Sequence, residues 1–248
     1  MITSMGYAEL IQEGLTAPFE GWDFTAFTGR LTYDGSLPWD YDALVRDRLP
    51  GASALLDLGT GGGERLASLA LLPSRTAATE GHPPNVPIAR ARLEPLGVEV
   101  AEARGALPFP DGSFDLIVNR HESYDPHEVR RVLAAGGTFV TQQVAGRDLG
   151  ELNRALGGPP HDDHDWGLAA AVAGLTDAGL TVTWSQSASY STIFRDIGAL
   201  VLFLRVVPWQ VPDFDPETYG DRLRALHEDM ERGRPLTATA HRFALTAR

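Results

Sequence analysis

Residues 55–66 read LLDLGTGGGERL. Leu55–Leu58 is an apolar run interrupted by one acid, Asp57; four glycines then fall within Gly59–Gly63, and Glu64–Leu66 return to helix-forming types. This order predicts a buried strand, a loop and a helix. Glycine has no Cβ, so such a loop lets main chain or ligand approach closely. In an open parallel sheet, a loop at the carboxyl end of a strand faces the place where ligands sit. What binds there decides what the protein does.

Spacing and composition remove several answers. A dinucleotide fingerprint needs G-x-G-x-x-G. Gly59 and Gly61 satisfy its first two positions, but Glu64 stands at the third and Gly63 comes one residue early. The chain has no lysine, so all 21 basic residues are arginine, and it has no cysteine. That excludes Schiff-base chemistry, a lysine-dependent phosphate loop, the Tyr-x-x-x-Lys pair of single-domain dehydrogenases, thiolate nucleophiles and Cys-type metal sites. A net charge of −12 argues against a broad nucleic-acid surface, and the arginine pairs Arg130–Arg131, Arg222–Arg224 and Arg232–Arg234 read as solvated helix faces. The N-terminus lacks the pattern of a signal peptide, and the longest apolar stretch, Ile197 to Leu204, is too short for a membrane span, so a cytoplasmic protein without a membrane partner is expected.

Outward from the loop, strand and helix patterns alternate. ALLDL, RTAATE, VEVAEA, the end of PDGSFDLIVN, TFVTQQV, TVTWSQSA and HRFALTA read as seven strands. Between them ERLASLALL, PNVPIARARLEPL, HEVRRVLAAGG and DWGLAAAVAGLTDAGL read as helices, the third closed by glycine and the last capped by Asp165. The pattern predicts a doubly wound α/β fold with a mostly parallel seven-stranded sheet. Residues 1–50 read as an N-terminal helical segment rich in aromatics (Trp22, Phe24, Phe27, Tyr33, Trp39, Tyr41), and 51–248 as the main domain. Residues 193–235 interrupt the alternation with a nearly all-apolar helix and a second helix capped by Asp215, a substrate lid or an extra packing layer.

LLDLGTGGG resembles the first motif of the class I S-adenosylmethionine-dependent methyltransferases, an acid followed by G-x-G-x-G. Asp57 matches that acid, and Gly59, Gly61 and Gly63 match the glycines. ATEG places Glu80 where this family's acid bonds the ribose hydroxyls. ALPFPDGSFDLIVN and EVRRVLAAGGTFVTQQV are similar to its later motifs, most of all in the quinone-biosynthesis-type group. The resemblance runs from about residue 53 to 145 and implies an antiparallel last strand. It also implies a cofactor, S-adenosyl-L-methionine, with S-adenosyl-L-homocysteine as product. The implied cofactor residues are Asp57, Gly59, Thr60, Gly61, Gly63, Glu80, Gly81, Arg104, Gly105, Ala106 and Asn119. One departure stands out: the acid expected after the third strand is Ala103, between Glu102 and Arg104.

Methyl transfer from a sulfonium is governed by placement, worth roughly 7–11 kcal/mol, against about 3–5 kcal/mol for a general base. Base candidates follow the fourth strand in NRHESYD: His121 and Glu122, with a helix cap as the competing role for His121. Arg30 could pair with the cofactor carboxylate, and Trp39 could lie against its sulfonium. HDDHDW at 161–166 has the look of a metal cluster, but capping explains Asp165 better, and no metal is expected. The acidic charge and apolar insertion favour a small-molecule acceptor. RNA or protein methylation, or cofactor binding without turnover, are the competing readings.

Overall fold

The computed structural model describes residues 6–19, 24–69, 71–160 and 164–248. Its strands are β1 (Leu31–Asp34), β2 (Ala54–Leu58), β3 (Arg75–Glu80), β4 (Glu99–Glu102), β5 (Phe114–Arg120), β6 (Leu133–Val144), β7 (Val182–Phe194) and β8 (Leu236–Ala247). Its helices are α1 (Tyr7–Thr16), α2 (Tyr41–Arg46), α3 (Glu64–Ala67), α4 (Val86–Leu93), α5 (Pro126–Val132), α6 (Gly150–Leu156), α7 (Leu168–Asp177), α8 (Ile197–Val206) and α9 (Gly220–Glu231). The strands hydrogen-bond in the order β1-β7-β8-β6-β5-β2-β3-β4. β4, β3, β2, β5 and β6 are mutually parallel, while β8 is antiparallel to β6 and β7 to β1. The fold is therefore the expected doubly wound α/β sheet with its last strand antiparallel.

Three details differ from the sequence reading. Eight strands form among the described residues, because Leu31–Asp34, in the segment expected to be helical, pairs with Phe194–Ser191. The helix expected to run to the glycines stops at Val132, and Leu133 already pairs with Phe114. Pairing then jumps to Leu116 opposite Thr138, so the intervening Ala134–Gly137 bulge out, with Gly136 at φ 74°. Gly167, not Asp165, precedes α7, and Asp215 closes a turn onto Thr218 before α9 instead of capping it.

The described chain clusters into two compact units. One comprises 1–37, 146–165 and 189–241, with α8 at its centre. Ile197–Leu204 are all buried there, against Leu10, Phe27, Leu152 and Leu223 among others, so the apolar helix is a packing layer of that unit. Asp196 caps it, accepting the Ala199 N–H at 2.9 Å. The other unit comprises 38–145, 166–188 and 242–248 and holds the parallel strands. Its sheet buries Ile117, Phe139 and Phe243 on one face, and Leu55, Leu116, Val118 and Val140 on the other. No helix among the described residues is long and apolar enough to cross a membrane.

Candidate active site

The carboxyl ends of β2, β3, β4 and β5 meet at the glycine loop. Gly59, Gly61 and Gly63 take φ of 69°, 64° and 81°, conformations that side-chain-bearing residues rarely adopt. A Cβ on Gly59 would lie 2.3 Å from Glu122 Cγ, so glycine is required there by contact as well as conformation. The loop is tied to β3. Gly59 N–H donates to Thr79 Oγ1 (3.3 Å), Thr60 N–H to the Thr79 carbonyl (2.8 Å) and Gly61 N–H to Glu80 Oε2 (2.7 Å). Gly63 N–H closes onto the Thr60 carbonyl at 3.0 Å. These four amides are thus consumed within the chain.

Glu80 is the hub. Its second oxygen accepts the His82 N–H at 2.6 Å, so one buried carboxylate joins the glycine loop to the turn after β3. Each carboxylate oxygen retains capacity for another donor. Asp57 is largely withdrawn from water, which pushes its carboxyl up to about 6; the Thr60 hydroxyl and Arg65 offset part of that. The Thr60 hydroxyl is itself buried without a well-formed hydrogen bond.

Beside the loop lies a cleft of about 500 Å³. Leu58, Gly59, Thr79 and Glu80 form one wall, Gly81, His82 and Ala103–Gly105 with Leu107 a second, and Glu122–Asp125, Glu128 and Val129 the third. Arg104 Nε donates to the Gly81 carbonyl and joins two of these segments. The Tyr124 hydroxyl, on the cleft wall, has no hydrogen-bond partner among the described residues. Burial pushes its pKa up, and its ring is fixed edge-on against Phe139 and Trp166. Burial, then the neighbouring Glu80 charge, raises the Glu122 carboxyl.

Sequence-predicted residues separate into three groups. Gly59, Glu80, Gly81, Arg104, Gly105 and Glu122 line the cleft. Asp57, Thr60, Gly61 and Gly63 build its loop from behind, and exposed Ala106 is outside the lining, as is Glu102. Asn119, Trp39, His121 and Arg30 are placed elsewhere. Asn119 is fully buried. Its amide donates to the Leu58 carbonyl (3.2 Å), and its oxygen accepts from Thr141 Oγ1 (2.9 Å) and Gln143 Nε2. Asn119 is therefore a clamp between strands. Arg30 spends Nε, Nη1 and Nη2 on Asp196 and Glu13, at 2.8, 2.8 and 3.0 Å among others, so its guanidinium is not offered to a cofactor carboxylate. Trp39 donates to Gln142 Oε1 at 2.8 Å. His161–Asp163 of the acidic–histidine run lie outside the described residues.

The sequence reading missed Glu128 and Arg131. Glu128 Oε2 accepts the Leu107 N–H (2.7 Å) while Arg131 grips Glu128 and donates to the Leu107 and Phe109 carbonyls (2.9 and 2.7 Å). Together they fix the loop that forms the second wall. Arg131 is thus a clamp rather than a solvated face; the only sequence signal was its i,i+3 spacing from Glu128.

Residues 56–141, which contain the glycine loop, Glu80 and all three walls, match the family model described as a methyltransferase domain. The likeness to methyltransferase domains is carried by this stretch of the 248 residues. A demethylmenaquinone methyltransferase of Thermus thermophilus is 34% identical over 127 residues, which is 44% of this chain and 56% of that relative. The chain thus matches little more than half of that methyltransferase's length. Two crystal structures share this α/β fold at 18% identity and a TM-score of 0.61. One is a functionally unknown protein from Deinococcus radiodurans R1, matched over 88% of this chain and 90% of that one. The other is a candidate methyltransferase from Bacillus halodurans C-125, matched over 84% and 98%.

Proposed function

We propose that this chain transfers a methyl group from S-adenosyl-L-methionine to a small-molecule acceptor, releasing S-adenosyl-L-homocysteine. The observation that carries this reading is the cleft at the carboxyl ends of β2–β5, bordered by Glu80, the glycine loop and the unpartnered Tyr124 hydroxyl. The residues present suit the donor. Glu80, held from behind by two amides, keeps acceptor capacity for a ribose diol. Gly81, His82, Ala103–Gly105, Leu107 and Tyr124 would receive the base, Tyr124 with a hydroxyl already short of a partner. Asp57 and Thr60 would serve the amino-acid end, the buried Thr60 hydroxyl making no well-formed hydrogen bond among the described residues.

When bound, the sulfonium supplies an electrophilic methyl group, and an in-line displacement needs little beyond placement and exclusion of water. The chain's contribution is therefore a fixed cleft. Glu122 is a titratable group lying against Gly59, and burial and the Glu80 charge, by raising its carboxyl, make it a stronger proton acceptor than an ordinary carboxylate.

A small acceptor is supported by the partly apolar walls, Leu58, Leu107 and Val129, and by the net charge of −12, which disfavours nucleic acid. The Thermus relative is named for one such acceptor, demethylmenaquinone. Calorimetry with S-adenosylmethionine and S-adenosylhomocysteine tests the donor, and a labelled-methyl screen of small molecules tests transfer. Affinity weaker than about millimolar for both nucleosides refutes the reading.

A further inference from the structure

Arg120, the last residue of β5, takes no part in the cleft. It pairs in register with Gln142 of β6, Gln142 with Ala244 of β8, and Val144 with Arg242. Because cross-strand partners and alternate residues share a face, Arg120, Gln142 and Arg242 lie on one side of the sheet. Asp57, in register with Val118, is on that side too, and Tyr41 and Leu66 pack there. Arg65 enters from α3, ion-paired to Asp42, with its guanidinium 6.0 Å from the Tyr41 ring centre.

Three guanidinium groups thus gather in a chain whose acids outnumber its bases 33 to 21. Arg120 is half-buried, yet its guanidinium makes no hydrogen bond or ion pair among the described residues. Burial, then the Arg65 charge, lowers its pKa. A guanidinium carries five N–H donors, and holding them away from water without a partner is costly.

The next residue adds a donor of fixed direction. Trp39 Nε1 can only donate, so its bond to Gln142 identifies the atom it meets as the amide oxygen, and the Gln142 NH2 must face His121 Nε2 at 2.9 Å. That nitrogen therefore accepts, and the His121 proton sits on Nδ1. The ring's water-poor surroundings and the Arg120, Arg242 and Arg65 charges hold its pKa well below the usual value. The backbone of His121 is held at φ 66° by its own N–H bond to the Gln142 carbonyl, 2.8 Å. The Trp39 ring meets Trp184 edge to face, centres 6.4 Å apart.

The geometry points to a second subsite, in which Arg120 and the His121 Nδ1–H bind a carboxylate of the methyl acceptor beside the Trp39–Trp184 pair. A carboxylate is acceptor-only, planar and matched to the guanidinium fork. The inference rests on the methyl-transfer reading and narrows it to aromatic or apolar acids. It also makes His121 a binding donor, with its one basic nitrogen already engaged, and leaves proton removal to Glu122.

Calorimetric titration of the full chain with benzoate and with benzamide, its uncharged counterpart, reads the subsite in the presence of S-adenosylhomocysteine. Benzoate should bind at least about tenfold tighter than benzamide. Arg120→Gln should abolish that preference and Arg120→Lys keep part of it, with affinity for S-adenosylhomocysteine within about twofold of the wild type. Equal binding of the two probes to the wild type overturns the proposal, as does a benzoate preference that survives Arg120→Gln. It is equally overturned if Arg120→Gln weakens S-adenosylhomocysteine tenfold but leaves methylthioadenosine, which lacks the amino-acid tail, unaffected. The arginines would then serve the donor's own carboxylate. If S-adenosylhomocysteine does not bind at all, the methyl-transfer reading fails, and the benzoate comparison repeated without it still decides the subsite. Should the Gln variant not fold by circular dichroism, the wild-type comparison and the Lys variant carry the decision.

Discussion

Glu80→Gln preserves size and shape while removing one charge and turning one acceptor into a donor. In the native chain the two carboxylate oxygens accept the Gly61 N–H at 2.7 Å and the His82 N–H at 2.6 Å. Glutamine offers a single oxygen. Whichever amide receives it, the other faces the side-chain NH2, donor against donor. The loss is one charge-assisted bond, about 1.5–3 kcal/mol, plus an unmet buried N–H, so a total of roughly 2–4 kcal/mol is expected. For a chain of this size that corresponds to a fall in Tm of roughly 5–15 °C. Glu80→Ala should cost less stability, about 1–3 kcal/mol, because water can enter the space and meet both amides. The order reverses for ligand: alanine removes every acceptor for a ribose diol and should weaken S-adenosylhomocysteine the more, by about 1–3 kcal/mol, whereas glutamine retains one oxygen. Differential scanning calorimetry and binding calorimetry on the two variants separate these effects. A Glu80→Gln variant that melts within about 2 °C of the wild type and binds the nucleoside equally well would refute the reasoning.

Gly59→Ala should lose about 1–2 kcal/mol of stability, from a strained φ of 69° and from contact with Glu122; adding Glu122→Ala should recover the contact part and leave the strain, as thermal melts of the two variants would show. Asp57 has a folded pKa raised to about 6. Its contribution is therefore fully present below the unfolded value near 4 and lost as pH rises through 6. Against Asp57→Asn, the wild type should lose up to roughly 3 kcal/mol between about pH 4 and 6.5, less to the extent that Asp57 still meets water; parallel urea titrations across that range check the slope. Arg30→Met should lower stability by about 1–3 kcal/mol, since Glu13 and Asp196 would face each other, their side chains retaining 36% and 25% of their exposure; S-adenosylhomocysteine affinity should not change, and a loss in binding calorimetry would return Arg30 to the donor site.

The strand–glycine–helix order at 55–66, the acid at Glu80 and the alternation of elements were legible because they are local: a run of side chains sets burial, and a missing Cβ sets the turn. The same local logic did not show which partners Arg30, Trp39 and Asn119 meet. Each has the chemistry a ligand would want, but a side chain's partner is set by what the fold brings near it. Arg30 meets Asp196, Trp39 meets Gln142 and Asn119 meets Gln143, all far away in sequence. The extra strand β1 was illegible for a related reason, since its pairing with β7 joins segments about 160 residues apart. Arg131 read as part of a solvated helix face until the fold set Leu107 and Phe109 beside it and Glu128.

By itself, then, the sequence determined the fold class, the chemical alternatives that missing lysine and cysteine exclude, and the loop and acid that mark the cleft. The tertiary structure alone decided which polar groups are already satisfied by one another and which, such as Tyr124, Thr60 and Arg120, are left with capacity for a ligand. The physical reason is that hydrogen-bonding capacity is a property of the residue, whereas its use depends on three-dimensional neighbours that linear spacing does not encode.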